Sequence, residues 1–204
     1  DGVIVSTDDC HYRAWKRMAD EEGIYFDRGI NERLRGVSRM ASLDIILERA
    51  EKAYTDEQKF EMATRKNNYY VDLIQSLTPA DILPGATEVL ALLRAKGVKM
   101  AIGSSSKNTP IILKQIGLDK AFDAVADGNQ ITHSKPNPEV FLLAAKLIGV
   151  APADCLVVED ADAGVEAALA GGMKALGVGS AAINPRATYR AQSLKDADMQ
   201  TILG

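Results

Sequence analysis

The sequence is poor in cysteine. Only Cys10 and Cys155 occur, far apart and without the short spacing of a metal-binding pair. A disulfide framework is therefore excluded, and a reduced, cytoplasmic compartment is the expectation. Long apolar runs are missing too: none approaches the roughly 20 residues a spanning helix needs. No basic stretch followed by an apolar one opens the sequence, so a secretory leader is not expected. Positive charge is not in excess. Lys and Arg number 24 against 28 Asp and Glu, for a net charge of -4 and a pI near 5.3. That balance argues against a phosphate-backbone surface and against a polybasic membrane anchor, so neither nucleic acid nor membrane is an expected partner. Repeats and low-complexity segments are also absent. What is present is 47% hydrophobic content over 204 residues, enough for one sizeable core or a core domain with a small companion.

Two textures divide the chain. From about Thr7 to Leu77 the apolar residues recur at helical spacing. Ala14, Trp15, Met18 and Ala19 mark a helix over 11–22, with Gly23 as its stop. Leu43, Ile46, Leu47 and Ala50 predict a second over 42–53, and Phe60, Ala63, Tyr70, Val71 and Ile74 a third over 56–77. After Pro79, short apolar runs appear at 98–102, 124–126, 155–158 and 175–178, the signature of strands buried on both faces of a parallel sheet. Helical patterns at 86–96, 110–116, 138–149 and 163–171 separate them, and 194–203 reads as a last helix. Strand and helix in alternation predict an α/β, doubly wound parallel-sheet core. Its domain comprises 1–6 and 79–204, with an all-helical domain, 7–78, inserted near the N-terminus. Hinges are expected at the two crossings.

Ligands in open α/β sheets bind at the carboxyl ends of strands, so the residues after each run matter most. After 98–102 come Ser104, Ser105, Ser106, Lys107 and Asn108, ahead of a helix opened by Pro110 as its first residue. Hydroxyls, a cation and helix-start N–H groups make an anion site; a serine-rich loop capped by Thr109 is the simpler alternative. After 124–126 comes Lys135, either a second cation for the site or a solvated loop lysine. After 155–158 come Glu159 and Asp160, adjacent carboxylates whose burial is costly without a cation. A hard divalent ion such as Mg²⁺ meets that need, though helix N-capping by Asp160 or Asp162 is the competing reading. The fourth candidate is Asp1-Gly2-Val3. Pooled, these residues offer acid, hydroxyls, cations and paired carboxylates, the set that phosphoryl transfer requires.

This set resembles the signature of the haloacid dehalogenase superfamily: Asp1-Gly2-Val3, Ser104, Lys135 and Glu159-Asp160, in order. The helical insert narrows the likeness. His11-Tyr12-Arg13-Ala14-Trp15, Leu34-Arg35-Gly36-Val37-Ser38-Arg39 and Arg65-Lys66-Asn67 are similar to the cap motifs of the β-phosphoglucomutase-like family, as is Ser104-Ser105-Ser106-Lys107-Asn108. The resemblance implies a cap loop (Gly36, Val37, Ser38, Arg39) that grips the sugar and its distal phosphate, with His11, Trp15, Ser42 and Lys66 also facing substrate. It implies Asp1 as general acid and base, and Mg²⁺ held by Glu159, Asp160 and the Asp1 carbonyl. Ser104 and Lys135 would neutralise the transferring phosphoryl. Ser105 belongs to the same phosphate loop, and Ser106, Lys107 and Asn108 would join Arg39 on the second phosphate.

The family's nucleophilic aspartate lies two residues before the Asp of Asp-Gly-Val, a position that precedes residue 1. The expectation is that an apolar strand carrying it lies ahead of Asp1; the alternative is a molecule that lacks its nucleophile. The implied reaction interconverts β-D-glucose 1-phosphate and glucose 6-phosphate through a bisphosphate and an aspartyl phosphate, on a monomer. A sugar-phosphate phosphatase, or a non-catalytic sugar-phosphate binder, remains open.

Overall fold

In a computed structural model, residues 1–35 and 37–203 are described, without the side chain of Leu203. The chain divides into two compact units, Thr7–Leu77 and, around it in sequence, Asp1–Ser6 with Thr78–Gly204.

The first unit is helical: α1 (Asp8–Glu21), α2 (Arg28–Glu32), α3 (Arg39–Leu47) and α4 (Asp56–Ile74). Each helix begins where the sequence supplies a cap or a favourable charge. Asp8 and Asp9 occupy the positive end of α1. The Ser38 hydroxyl accepts from Ala41 N–H to open α3, and Thr55 with Gln58 forms a capping box on α4. Gly23, at φ 69°, takes the left-handed conformation that stops α1. The predicted 42–53 helix is thus shifted: capped by Ser38, it starts three residues earlier, at Arg39, and ends at Leu47. Trp15, Met18 and Ala19 of α1 close on Leu43 and Ile46 of α3 and on Met62 and Ala63 of α4. This one apolar cluster holds the unit together.

The second unit is a parallel α/β structure. In chain order it contains α5 (Ala86–Ala95), β1 (Ala101–Gly103), α6 (Thr109–Gln115), β2 (Ala124–Ala126) and α7 (Glu139–Ile148). There follow β3 (Leu156–Glu159), α8 (Asp162–Ala170), β4 (Lys174–Gly177), β5 (Tyr189–Arg190) and α9 (Met199–Leu203). β1 pairs with β2 in register Ala101 to Ala124, and β3, β4 and β5 form a second sheet in that order; all these pairings are parallel. A common cluster ties the two sheets, because Val140, Phe141, Ala144 and Ala145 of α7 meet Val165, Ala167 and Ala168 of α8, with Ala126 and Ala175 beneath.

Among the described residues, one edge of β1 and one edge of β3 have no strand partner. Both strands line a cavity of about 410 Å³, whose walls include Val3, Ile4, Ala101, Ile102, Phe141, Leu156, Val157 and Val158. Val3 and Ile4 lie in a bend and belong to neither sheet. Gly2 N–H donates to the Val5 carbonyl at 2.8 Å, and Val5 makes a single antiparallel bridge to Ile82. No described helix is long and apolar enough to cross a membrane, and among the described residues neither Cys10 nor Cys155 is in a disulfide.

Candidate active site

Asp1, Ser104, Lys135 and Glu159 all line the cavity between β1 and β3. Ser104 follows β1 directly, and its N–H donates to the Ala126 carbonyl at 3.0 Å, extending the β1–β2 ladder by one step. From there the loop turns on its own hydroxyls. Ser106 N–H donates to the Ser104 Oγ at 3.1 Å, and Asn108 N–H to the Ser106 Oγ at 3.2 Å. The loop after β2 braces it, since Gly128 N–H donates to the Ser106 carbonyl at 3.2 Å and the Asn129 amide to the Lys107 carbonyl at 3.0 Å. Any Cβ at Gly128 would stand 2.3 Å from the Ser105 carbonyl oxygen. The Ser105 hydroxyl is buried without a hydrogen-bond partner among the described residues. The following helix starts at Thr109 rather than Pro110, which takes the second position, and Thr109 is not its cap: its hydroxyl donates to the Ser106 carbonyl.

Lys135 is not a solvated loop lysine. Its side chain is only 11% exposed, its ammonium is paired with the Glu159 carboxylate, and it donates to the Gly103 carbonyl at 3.3 Å. The Phe141 ring of α7 lies 4.6 Å from the ammonium, and Gly103 leaves room for that ring, which a Cβ would meet at 2.6 Å. Glu159 ends β3 and is 6% exposed. Its carboxylate accepts from the N–H groups of Asp160 and Ala161 at 3.1 and 3.2 Å. Asp160 does not cap α8, whose cap position is Ala161. Its carboxylate lies against the backbone of Gly2, where a Cβ would come within 2.0 Å of the Asp160 Oδ2. Its carbonyl accepts from Ala181 N–H and the Ser180 hydroxyl.

Among the described residues, no group of three or more His, Cys, Asp or Glu side chains is placed to hold a metal ion, here or elsewhere. Two oxygen donors beside a cation-lined cavity suit a hard divalent ion that keeps several waters and shares a phosphate, and do not suit a closed nitrogen or sulfur site.

The helical unit carries a second group. Lys66 on α4 is 3% exposed. Its ammonium donates to His11 Nδ1 at 2.9 Å and sits over the rings of Trp15 and Tyr70, at 4.6 and 4.8 Å. His11 stacks on Tyr70 at 4.0 Å, and the Tyr70 hydroxyl donates to Thr7 Oγ1 at 3.1 Å. Arg39, half-buried, donates to the Asn67 amide oxygen at 2.8 Å. Burial, then the charge of Arg39, pushes the Lys66 ammonium down to about 7. Burial, then Lys66, holds His11 well below the usual imidazole range, and burial raises Tyr70. Among the described residues neither Lys66 nor Arg39 forms an ion pair. Arg65, by contrast, is committed to Glu21, Glu22 and Glu61.

Arg39 is the first residue of α3 rather than part of a loop, and Ser38 is that helix's cap. Val37 N–H donates to the Leu34 carbonyl at 3.2 Å, Ser42 is buried in α3, and Gly36 lies outside the described residues. Trp15 serves both the apolar cluster and the Lys66 ammonium. Sequence reasoning passed over Tyr70 as a core residue. Its place one helical turn beyond Lys66 is the signal that could have found it.

The chain is similar to known proteins in sequence and in fold. A family model of haloacid dehalogenase-like hydrolases matches residues 1–172. The β-phosphoglucomutase of Bacillus subtilis is 45% identical over 181 residues, covering 88% of this chain and 80% of that protein. The fructose-1-phosphate phosphatase of Escherichia coli is 32% identical over 180 residues, covering 87% of this chain and 92% of that protein. Among solved structures, a β-phosphoglucomutase from Clostridium difficile superposes with a TM-score of 0.93 at 40% identity, covering 99% of this chain and 92% of that one. The parallel α/β core, its strand-end residues and these matches place the chain in the haloacid dehalogenase-like hydrolase family.

Proposed function

We propose that this protein is a Mg²⁺-dependent phosphotransferase that interconverts β-D-glucose 1-phosphate and glucose 6-phosphate through a glucose bisphosphate. The observation that carries this reading is a pair of separate groups of polar and cationic side chains, each a candidate for an anion. One is Ser104 with Lys135 in the α/β unit. The other is Lys66 with Arg39 in the helical unit, two cations whose hydrogen-bond partners, His11 and Asn67, are neutral. Among the described residues Lys66 and Arg39 have no anion, which is costly for a buried cation, whereas Lys135 is paired with Glu159. A bisphosphate would supply the anion for Lys66 and Arg39 while its other phosphate meets Ser104 and Lys135. The Bacillus and Clostridium relatives support the same substrate class.

In this reading Glu159 and Asp160, with the Asp1 carbonyl, would hold Mg²⁺, which would supply charge neutralisation for a phosphoryl group. Ser104 and Lys135 orient that group, and Lys135 is already held in place by Phe141 and the Gly103 carbonyl. Asp1 moves the proton of the sugar hydroxyl, as acid and then base. The phosphoryl acceptor would be the carboxylate that the family likeness implies two residues before Asp1. Ser106, Lys107 and Asn108 in the α/β unit and Arg39 in the helical unit are the groups proposed for the second phosphate, and His11, Trp15, Ser42, Val37 and Ser38 those proposed for the sugar.

A phosphatase on the same scaffold is the second reading, favoured by the Escherichia coli relative. Arg39→Ala separates the two. For a mutase, the change is expected to cost about 2–5 kcal/mol in kcat/KM for β-D-glucose 1-phosphate, while release of phosphate from a simple aryl phosphate barely changes. Equal losses in both reactions would assign Arg39 no distal-phosphate role. The metal assignment has its own check. Asp160→Asn is expected to weaken Mg²⁺ binding, measured by calorimetry, at least tenfold; equal affinity would remove Asp160 from the site.

A further inference from the structure

α8 is alanine-rich, with Ala163, Ala167, Ala168 and Ala170 in a nine-residue helix, yet its third residue is Gly164. Glycine in a helix is destabilising relative to alanine, and nothing in the local backbone calls for it. Gly164 is helical, with no positive φ, so alanine could adopt its conformation. Crowding supplies the reason. A Cβ at Gly164 would stand 2.0 Å from the Glu159 Cδ and 2.3 Å from each of its carboxylate oxygens, and these are its three nearest neighbours. The missing methyl is the space the Glu159 carboxylate occupies.

We propose that Gly164 is a positioning residue, which lets the Glu159 carboxylate fold back over the first turn of α8. There it accepts from the N–H groups of Asp160 and Ala161 and pairs with Lys135. The inference rests on the metal-holding role given to Glu159 above. With a methyl group at 164 the carboxylate must swing out, because the far end of a side chain yields more readily than helix backbone. It then leaves both amides and presents its oxygens elsewhere. The helix itself should tolerate the change. Gly2, which makes the same kind of room for Asp160, is a poorer probe, because its φ of 70° would strain any other residue.

The test uses Gly164→Ala, Glu159→Ala and the double variant in the full chain. Three measurements are made on each: the thermal midpoint without metal, the amide shifts of Asp160 and Ala161, and the Mg²⁺ dissociation constant by calorimetry. The expected result is a Mg²⁺ constant 10–100-fold weaker in Gly164→Ala, with displaced Asp160 and Ala161 amides. In the Glu159→Ala background, where the methyl has room, Gly164→Ala should raise the midpoint. Against wild type it should raise it less or lower it. The same midpoint change in both backgrounds would overturn the proposal, as would wild-type Mg²⁺ affinity in Gly164→Ala. If Glu159→Ala alone keeps full Mg²⁺ affinity, the metal reading fails. The midpoint comparison then still decides whether Gly164 seats the Glu159 carboxylate. Val165→Ala, which removes buried volume one residue along α8, should lower the midpoint and leave Mg²⁺ binding alone.

Discussion

Joining an apolar stretch of about five residues, followed by Asp and one further residue, ahead of Asp1 is expected to stabilise the protein strongly and to make it turn over. The cavity of about 410 Å³ between β1 and β3 has apolar walls and two strand edges without strand partners among the described residues. A parallel strand seated there would satisfy both edges. Each of its residues would contribute roughly 1.5–3 kcal/mol of apolar burial and about 1 kcal/mol per hydrogen bond, against about 1.5 kcal/mol of ordering. The net is several kcal/mol. At roughly 2–4 °C per kcal/mol for a chain of this size, the thermal midpoint should rise by at least about 10 °C. Stability and chemistry then separate cleanly. Replacing the new Asp by Ala should keep the higher midpoint and lower the conversion of β-D-glucose 1-phosphate at least about a thousandfold. If the extension leaves the midpoint where it was, the cavity is not a strand site. If the Ala variant keeps its turnover, the nucleophile lies elsewhere.

The α/β core was legible because its signals are local. Buried parallel strands read as short apolar runs, and 124–126 and 155–158 fall on β2 (Ala124–Ala126) and β3 (Leu156–Glu159) within a residue. The run 98–102 misled at its start. Val98 N–H closes the end of α5 on the Leu93 carbonyl, and Met100 N–H is taken by the Asp123 carboxylate, so the ladder begins only at Ala101. β5, two residues long, has no periodicity to detect. In the site, the strand-end rule picked out Ser104, Lys135 and Glu159, and the structure brings all three to one cavity. Pairings across the chain left no trace in spacing. The ion pair of Lys135 with Glu159 and the stacking of His11 on Tyr70 exist only once the elements have packed. The reason for glycine at 164 was equally hidden, because the side chain it makes room for belongs to another element.

Lys66→Met is expected to make the protein more stable and its anion binding much weaker. Lys66 is buried against Trp15, Tyr70 and His11 with no carboxylate partner among the described residues, and its ammonium is pushed down to about 7 from an ordinary 10.5. Between those values the unfolded chain holds a proton that the folded protein has released, so stability rises with pH across that window. Below about pH 7 the folded protein carries a buried charge at full cost. Methionine, of similar length and apolar, removes the cost, so Lys66→Met should gain of order 2–5 kcal/mol at pH 6 by urea unfolding. The gain should shrink steadily towards pH 10. Function should move the other way. Loss of a buried cation from a phosphate contact costs about 2 kcal/mol or more, roughly thirtyfold in affinity for a sugar phosphate. Anion binding restores the charge on Lys66, so near pH 8 it should draw in close to one proton per site. Calorimetry in buffers of different ionisation enthalpy would measure that uptake, and Lys66→Met should abolish it. A variant less stable than its parent at pH 6, or a stability difference flat from pH 6 to 10, would mean that Lys66 is held by something other than the anion it awaits.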